Sequence, residues 1–118
     1  MPETNALLLT EDGDVIELAL GKKDRLPVYR AVIRCERVAC RALTSRLDMW
    51  FDEDHPYNHT DRVNIPAMLL AARHGYAGDN ICGPVVVTGG PDDEGAMMPL
   101  SQDALRALLV SLDDIASD

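Results

Sequence analysis

Residues 84–88 read Pro-Val-Val-Val-Thr and run straight into Gly-Gly-Pro. An unbroken β-branched run of this length has no polar face to turn to water, so it has to be a strand covered on both sides. A fold that contains such a strand needs further strands beside it and helices above it. The rest of the chain supplies both.

Ala6–Thr10 and Asp14–Leu20 are apolar runs on either side of Glu11-Asp12-Gly13. An Asp-Gly pair in that setting predicts a hairpin, because the turn requires a positive φ that glycine adopts freely. In the second strand Ile16, Leu18 and Leu20 share a face. From Leu26 the period changes. Pro27 suits a first helical turn, and at 100° per residue Val28, Val32, Cys35, Ala39 and Leu43 form one stripe. Arg30, Arg34, Arg37 and Arg41 form the opposite one. This predicts a helix over 27–46 with its arginines turned outward.

Leu47–Phe51 reads as a short strand with Trp50 and Phe51 on opposite faces, and 52–61, Asp-Glu-Asp-His-Pro-Tyr-Asn-His-Thr-Asp, as an exposed loop. Asn64 predicts the cap of a helix from Ile65-Pro66 to Ala72, stopped near Gly75. Ala96–Leu100 is expected to be a second short strand. Ser101 then caps a last helix, with Asp103 in its first turn and Leu105, Leu108, Leu109 and Leu112 inward, fading into Asp113-Asp114. The order ββαβαββα predicts a single α+β domain over 1–118. It has about five strands in a mixed or antiparallel sheet, with three helices packed mainly on one side.

Composition excludes several functions. The chain has 118 residues, 47% of them apolar and 26% charged, which is the balance of a folded domain. No apolar run reaches the ~20 residues of a membrane helix, and Met1–Leu9 lacks the basic start of a secretory signal. A cytoplasmic protein with no membrane contact is expected. Cys35, Cys40 and Cys82 are three, with no C-x-x-C pair, and read as reduced thiols. The net charge of −9 opposes direct nucleic-acid binding and favours a basic protein partner. Five aromatic residues are too few for stacking on single strands. Eight of the eleven basic residues fall between Lys22 and Arg46, which predicts an electrically two-sided molecule.

The candidate sites are weak ones. Gly89–Gly95 resembles a phosphate loop only until its acids are counted: Asp92, Asp93 and Glu94 repel phosphate, and no lysine follows Lys23. Their spacing does not make a calcium loop either. What is expected is a glycine–proline reversal, the glycines at positive φ, with an acidic tip offered to a basic partner. His55 and His59 are the metal candidates, but Pro56 argues against the helix that would align them and no third ligand is fixed. His74 with Cys82 is a bare dyad without an orienting group. No metal, cofactor or catalytic group is therefore expected.

The segments LDMWFDED (47–54), VNIPAMLLAARHGY (63–76) and ICGPVVVTGGPDDEG (81–95) resemble, in this order, the family known as domain of unknown function 3846. Asn64, Ala67, Gly83, Val85–Val87, Gly89 and Gly95 carry the resemblance. Ala67-Met68 departs from the Ala-Thr common at that helix start. The resemblance covers 45–118, more loosely the hairpin and first helix. It implies a small cytoplasmic protein of an actinobacterium, its plasmid or its phage, and supplies no catalytic residue. The expectation is a small acidic non-enzymatic accessory protein that binds a host or phage protein, as an inhibitor or DNA mimic. Its contact residues would be Arg30, Arg34, Arg37, Arg41, Asp92, Asp93 and Glu94. The alternative is a small-ligand or nucleotide-binding module using the four arginines or a groove above Cys82-Gly83. Met97-Met98 belongs to the core or, as an edge strand, to a homodimer contact.

Overall fold

The valine run is the middle of a five-stranded sheet in the computed structural model, which describes residues 5–20, 26–59, 62–76, 78, 80–91 and 98–117. The elements are β1 (Ala6–Leu9), β2 (Val15–Leu18), α1 (Leu26–Ile33), β3 (Val38–Thr44), β4 (Leu47–Asp52), α2 (His55–Asn58), α3 (Ile65–Arg73), β5 (Val85–Thr88) and α4 (Gln102–Ser117). The sheet order is β2-β1-β5-β4-β3, and every neighbouring pair is antiparallel. Residues 81–90 are all buried.

Side chains leave the sheet alternately, and each face has its own core. One face carries Leu7, Leu9, Val85, Val87, Met49 and Phe51, closed by Ala67, Leu70 and Ala71 of α3 and Leu105, Leu108 and Leu112 of α4. The other carries Ala6 and Val86 with the half-buried Leu8, Leu18, Val38 and Trp50, closed by Tyr29 and Ile33 of α1. Helices therefore cover both faces, not mainly one, which is why three consecutive valines can sit in an antiparallel sheet.

The hairpin forms as its residues predict. Thr10 N–H donates to the Asp14 carbonyl, and Gly13 sits at φ 94° in the turn. Trp50 and Phe51 lie on opposite faces as expected. The long helix over 27–46 does not form. α1 ends at Ile33 and buries Tyr29 and Ile33, leaving Val28 exposed. Arg34 follows at φ 63°, and Cys35 N–H returns to the Arg30 carbonyl at 3.0 Å, a helix stop that commonly uses glycine. Val38–Thr44 then pairs with β4 as an extra strand. Ala39 and Leu43 are four apart, which places them together on a helix and equally on a strand. The chain order is thus ββαββααβα. Met98–Leu100 is not a strand, and Met97 lies outside the described residues. α4 continues through Asp113-Asp114 to Ser117 instead of fading there.

Asn64 ties the architecture together. Its carboxamide, fully buried, donates to the Leu9 and Gly83 carbonyls at 2.9 Å each and accepts the Ala67 N–H at 3.1 Å. It caps α3 while joining it to the end of β1 and the lead-in to β5. Asn64→Ala removes the cap and strands two buried carbonyls, so equilibrium urea unfolding should show a loss of about 3 kcal/mol with an unchanged slope.

Candidate functional site

β4 ends in Asp52, which the strand alternation places on the same face as Asp48 and Trp50. Asp52 is fully enclosed. Its carboxylate accepts the Asp54 N–H at 2.8 Å and the Asn58 carboxamide at 2.9 Å. These bonds fold 53–59 into a turn and the short helix α2, not an open loop, and Pro56 fits because it occupies a first-turn position. His59 Nε2 is buried 3.2 Å from Asp52 Oδ2, within ion-pair reach but off the direction of a hydrogen bond. The His59 ring rests on Gly83, whose φ is +83°; a Cβ there would fall 2.7 Å from the ring. His55 Nδ1 accepts the Cys82 N–H at 3.2 Å. Both histidines anchor α2 to the approach of β5, and the groove above Cys82-Gly83 is filled by His59. Among the described residues, no three His, Cys, Asp or Glu side chains converge as metal ligands.

Outside this anchor lies a cleft of about 670 Å³ lined by Arg34, Cys35, Glu36, Arg37, Asp54, Tyr57 and Asn58. Arg37 grips Asp54 with a forked guanidinium at 2.8–3.1 Å, and Glu53 lies 3.3 Å away. The Asp54 hydrogen bond, then the Asp54 and Glu53 charges, raise its pKa further, so it is a permanent cation. Burial, then the Asp52 charge, push the Cys35 thiol up to about 11. Cys40 is pushed to about 12 by desolvation and then by Asp48. At neutral pH both groups are thiols, not thiolates, and the cleft offers charge and hydrogen bonds. Tyr57 stands at its rim, 83% exposed.

The four arginines do not share a face. Arg30 is exposed on α1. Arg34 bonds Glu11 at 2.6 Å, together with Arg62 at 3.1 Å. Arg37 pairs as described. Arg41, on β3, lies on the far side of the sheet, its guanidinium 5.4 Å from the Phe51 ring centre and 4.7 Å from that of Tyr76. The expected helix face fails because the helix stops at Ile33. Asp92, Asp93 and Glu94 lie outside the described residues. Gly89 and Gly90 are not at positive φ. They are small because backbone crosses them: a Cβ at Gly89 would strike the Pro99 carbonyl at 2.6 Å, and one at Gly90 the Ser45 carbonyl at 2.6 Å. His74 ends α3 while Cys82 bridges Val63 before its start, so that dyad is not assembled. Glu11 was legible only as a turn residue, yet it is nearly enclosed and joins three segments.

The profile of the family described as Domain of unknown function (DUF3846) matches residues 4–112, and the chain belongs to that family. No curated protein and no solved structure matches it. The residues that carried the resemblance now have physical reasons, except Gly95, which lies outside the described residues. Asn64 is the buried tie, Ala67 and Val85–Val87 are fully buried, Gly83 admits His59, and Gly89 admits the crossing backbone.

Burial lowers the His55 pKa from 6.5; Arg41 and His59 also lower it, and Asp52 opposes them. The fold holds this imidazole neutral, so its contribution is complete above about pH 6.5 and is lost as pH falls below it. Between pH 7.5 and 5.5, wild type should lose up to about 1 kcal/mol more stability than His55→Asn, read by denaturant unfolding at each pH.

Proposed function

We propose that this DUF3846 protein is a small non-enzymatic accessory protein that binds a basic surface of another protein, a component of a host cell or of a phage. The observation that supports this most is how its ion pairs are arranged. Of the four arginines predicted to face outward, Arg30 stays exposed and three are occupied at home: Arg34, beside Arg62, on Glu11, Arg37 on Asp54 and Glu53, and Arg41 on two aromatic rings. Asp14, Glu17, Glu36, Asp103 and Asp114 are exposed, and among the described residues none has a salt-bridge partner. Arg30, Arg46, Arg73 and Arg106 are exposed and, among the described residues, without a salt bridge as well, so the outward charge is mixed in sign. The excess of acids on a chain of net charge −9 makes it negative on balance. Such a surface speeds encounter with a basic partner and discourages acidic ones.

The phage or mobile-element setting rests on the family resemblance, and cytoplasmic action agrees with it. No helix among the described residues is long and apolar enough to cross a membrane. Nucleotide binding through a row of four arginines loses its premise, since Arg41 stands on the opposite side of the sheet from α1.

Reversing Asp14, Glu17, Glu36 and Asp114 together to lysine should leave the fold intact, because all four are exposed. Affinity capture from an actinobacterial lysate should retain a basic protein on the wild type, released by raised salt and not held by the variant. Equal retention by both proteins, or none by either, would count against the reading. A rise in melting temperature with a nucleotide would favour the ligand-binding alternative instead.

A further inference from the structure

We infer that the free edge of β2 is where the partner attaches, by adding an extended, lysine- or arginine-bearing segment to the sheet as a sixth strand. This rests on the reading of the protein as an acidic binding module and specifies the element and the mode of contact. Among the described residues β2 is the outermost strand and pairs only with β1. The Thr10–Asp14 bond makes that pair a hydrogen-bonded one. By antiparallel alternation Ile16, opposite Leu8, turns its backbone groups toward β1, while Val15 and Glu17 turn theirs away. Among the described residues nothing bonds those outward groups.

The two edges of the sheet differ in how they are protected. β3 breaks register between Ala42 and Thr44 and carries Arg41, and both a bulge and a charge discourage pairing. β2 keeps perfect register with β1 and contains neither proline nor lysine. It exposes Val15 at 37% and Ile16 at 44%, so an added strand would find apolar side chains as well as backbone groups. It carries Glu17, with Asp14 just before it on the opposite face, both exposed and, among the described residues, without a salt bridge. These acids select the occupant. A second copy docking antiparallel with Glu17 opposite Glu17 would face like charges, which destabilise a ladder, and would bring together two chains of net charge −9. A segment with lysine or arginine at alternate positions sets its cations on the Glu17 face and its apolar residues on the Ile16 face while its backbone completes the ladder.

The test uses the full chain, isotope-labelled, with three synthetic eight-residue peptides. One alternates lysine and valine, one alternates glutamate and valine, and one is the lysine peptide methylated on alternate backbone nitrogens so that it cannot complete a ladder. The lysine peptide should shift the backbone amide signals of residues 14–18 and their β1 partners. Asp14→Lys with Glu17→Lys should weaken its binding at least tenfold, and the other two peptides should not bind. If the methylated peptide binds as well as its parent, or the shifts fall on α4 or the cleft, strand addition is wrong while the acidic reading stands. If no cationic peptide binds, both fail. Concentration-dependent dimerisation through residues 14–18, seen by sedimentation with the same amide shifts, would give the edge to a second copy and overturn the assignment.

Discussion

One buried carboxamide holds the molecule in register. Asn64 is surrounded by an apolar core, where an unmet hydrogen bond is costly, and it meets two carbonyls and one N–H from three different segments. It therefore sets where α3 starts, how β1 ends and how the chain enters β5. The α2 anchor depends on the same corner. The Gly83 carbonyl that Asn64 binds belongs to the glycine on which His59 rests, and the neighbouring Cys82 N–H is held by His55. Asp52 and its partners thus inherit their positions from a residue outside the cleft.

The parts of the fold written in local chemistry were readable in the sequence. The Asp-Gly turn, the Asn64 cap followed by Ile65-Pro66, the valine strand and the leucine stripe of α4 each need only neighbouring residues to form. What was not readable depended on distant contacts. Val38–Thr44 satisfies two periods at once, and only its pairing with β4 makes it a strand. Asp52 and Glu11 look like solvated acids because nothing beside them in sequence reveals the Asn58, Arg34 and Arg62 side chains that receive them. The missing helix had the widest effect, since the arginine face depended on it. Gly89 and Gly90 were identified as special for the wrong reason: crossing backbone, not dihedral freedom, excludes a side chain there.

Membership of DUF3846 describes a scaffold more than a chemistry. Every described residue that carried the resemblance is spent on packing, capping or close approach. The surface that would meet a partner lies elsewhere, on β2 and the exposed acids. This division is what a binding module requires, because the scaffold can stay constant while the contact surface varies.

The single tryptophan sits where the two layers can be told apart. Trp50 lies 5.0 Å, ring centre to ring centre, from Tyr29 of α1, and its indole N–H donates to Thr88 Oγ1 of the central strand at 2.9 Å. Its emission therefore observes the seam between α1 and the sheet and is blind to the layer of α3 and α4. Far-ultraviolet dichroism has the opposite bias, because α4, with sixteen residues, is the longest helix. The two signals thus weight the two cores differently. Coincidence of the two melting curves would mean that a five-stranded sheet with separate apolar layers nevertheless yields as one cooperative body.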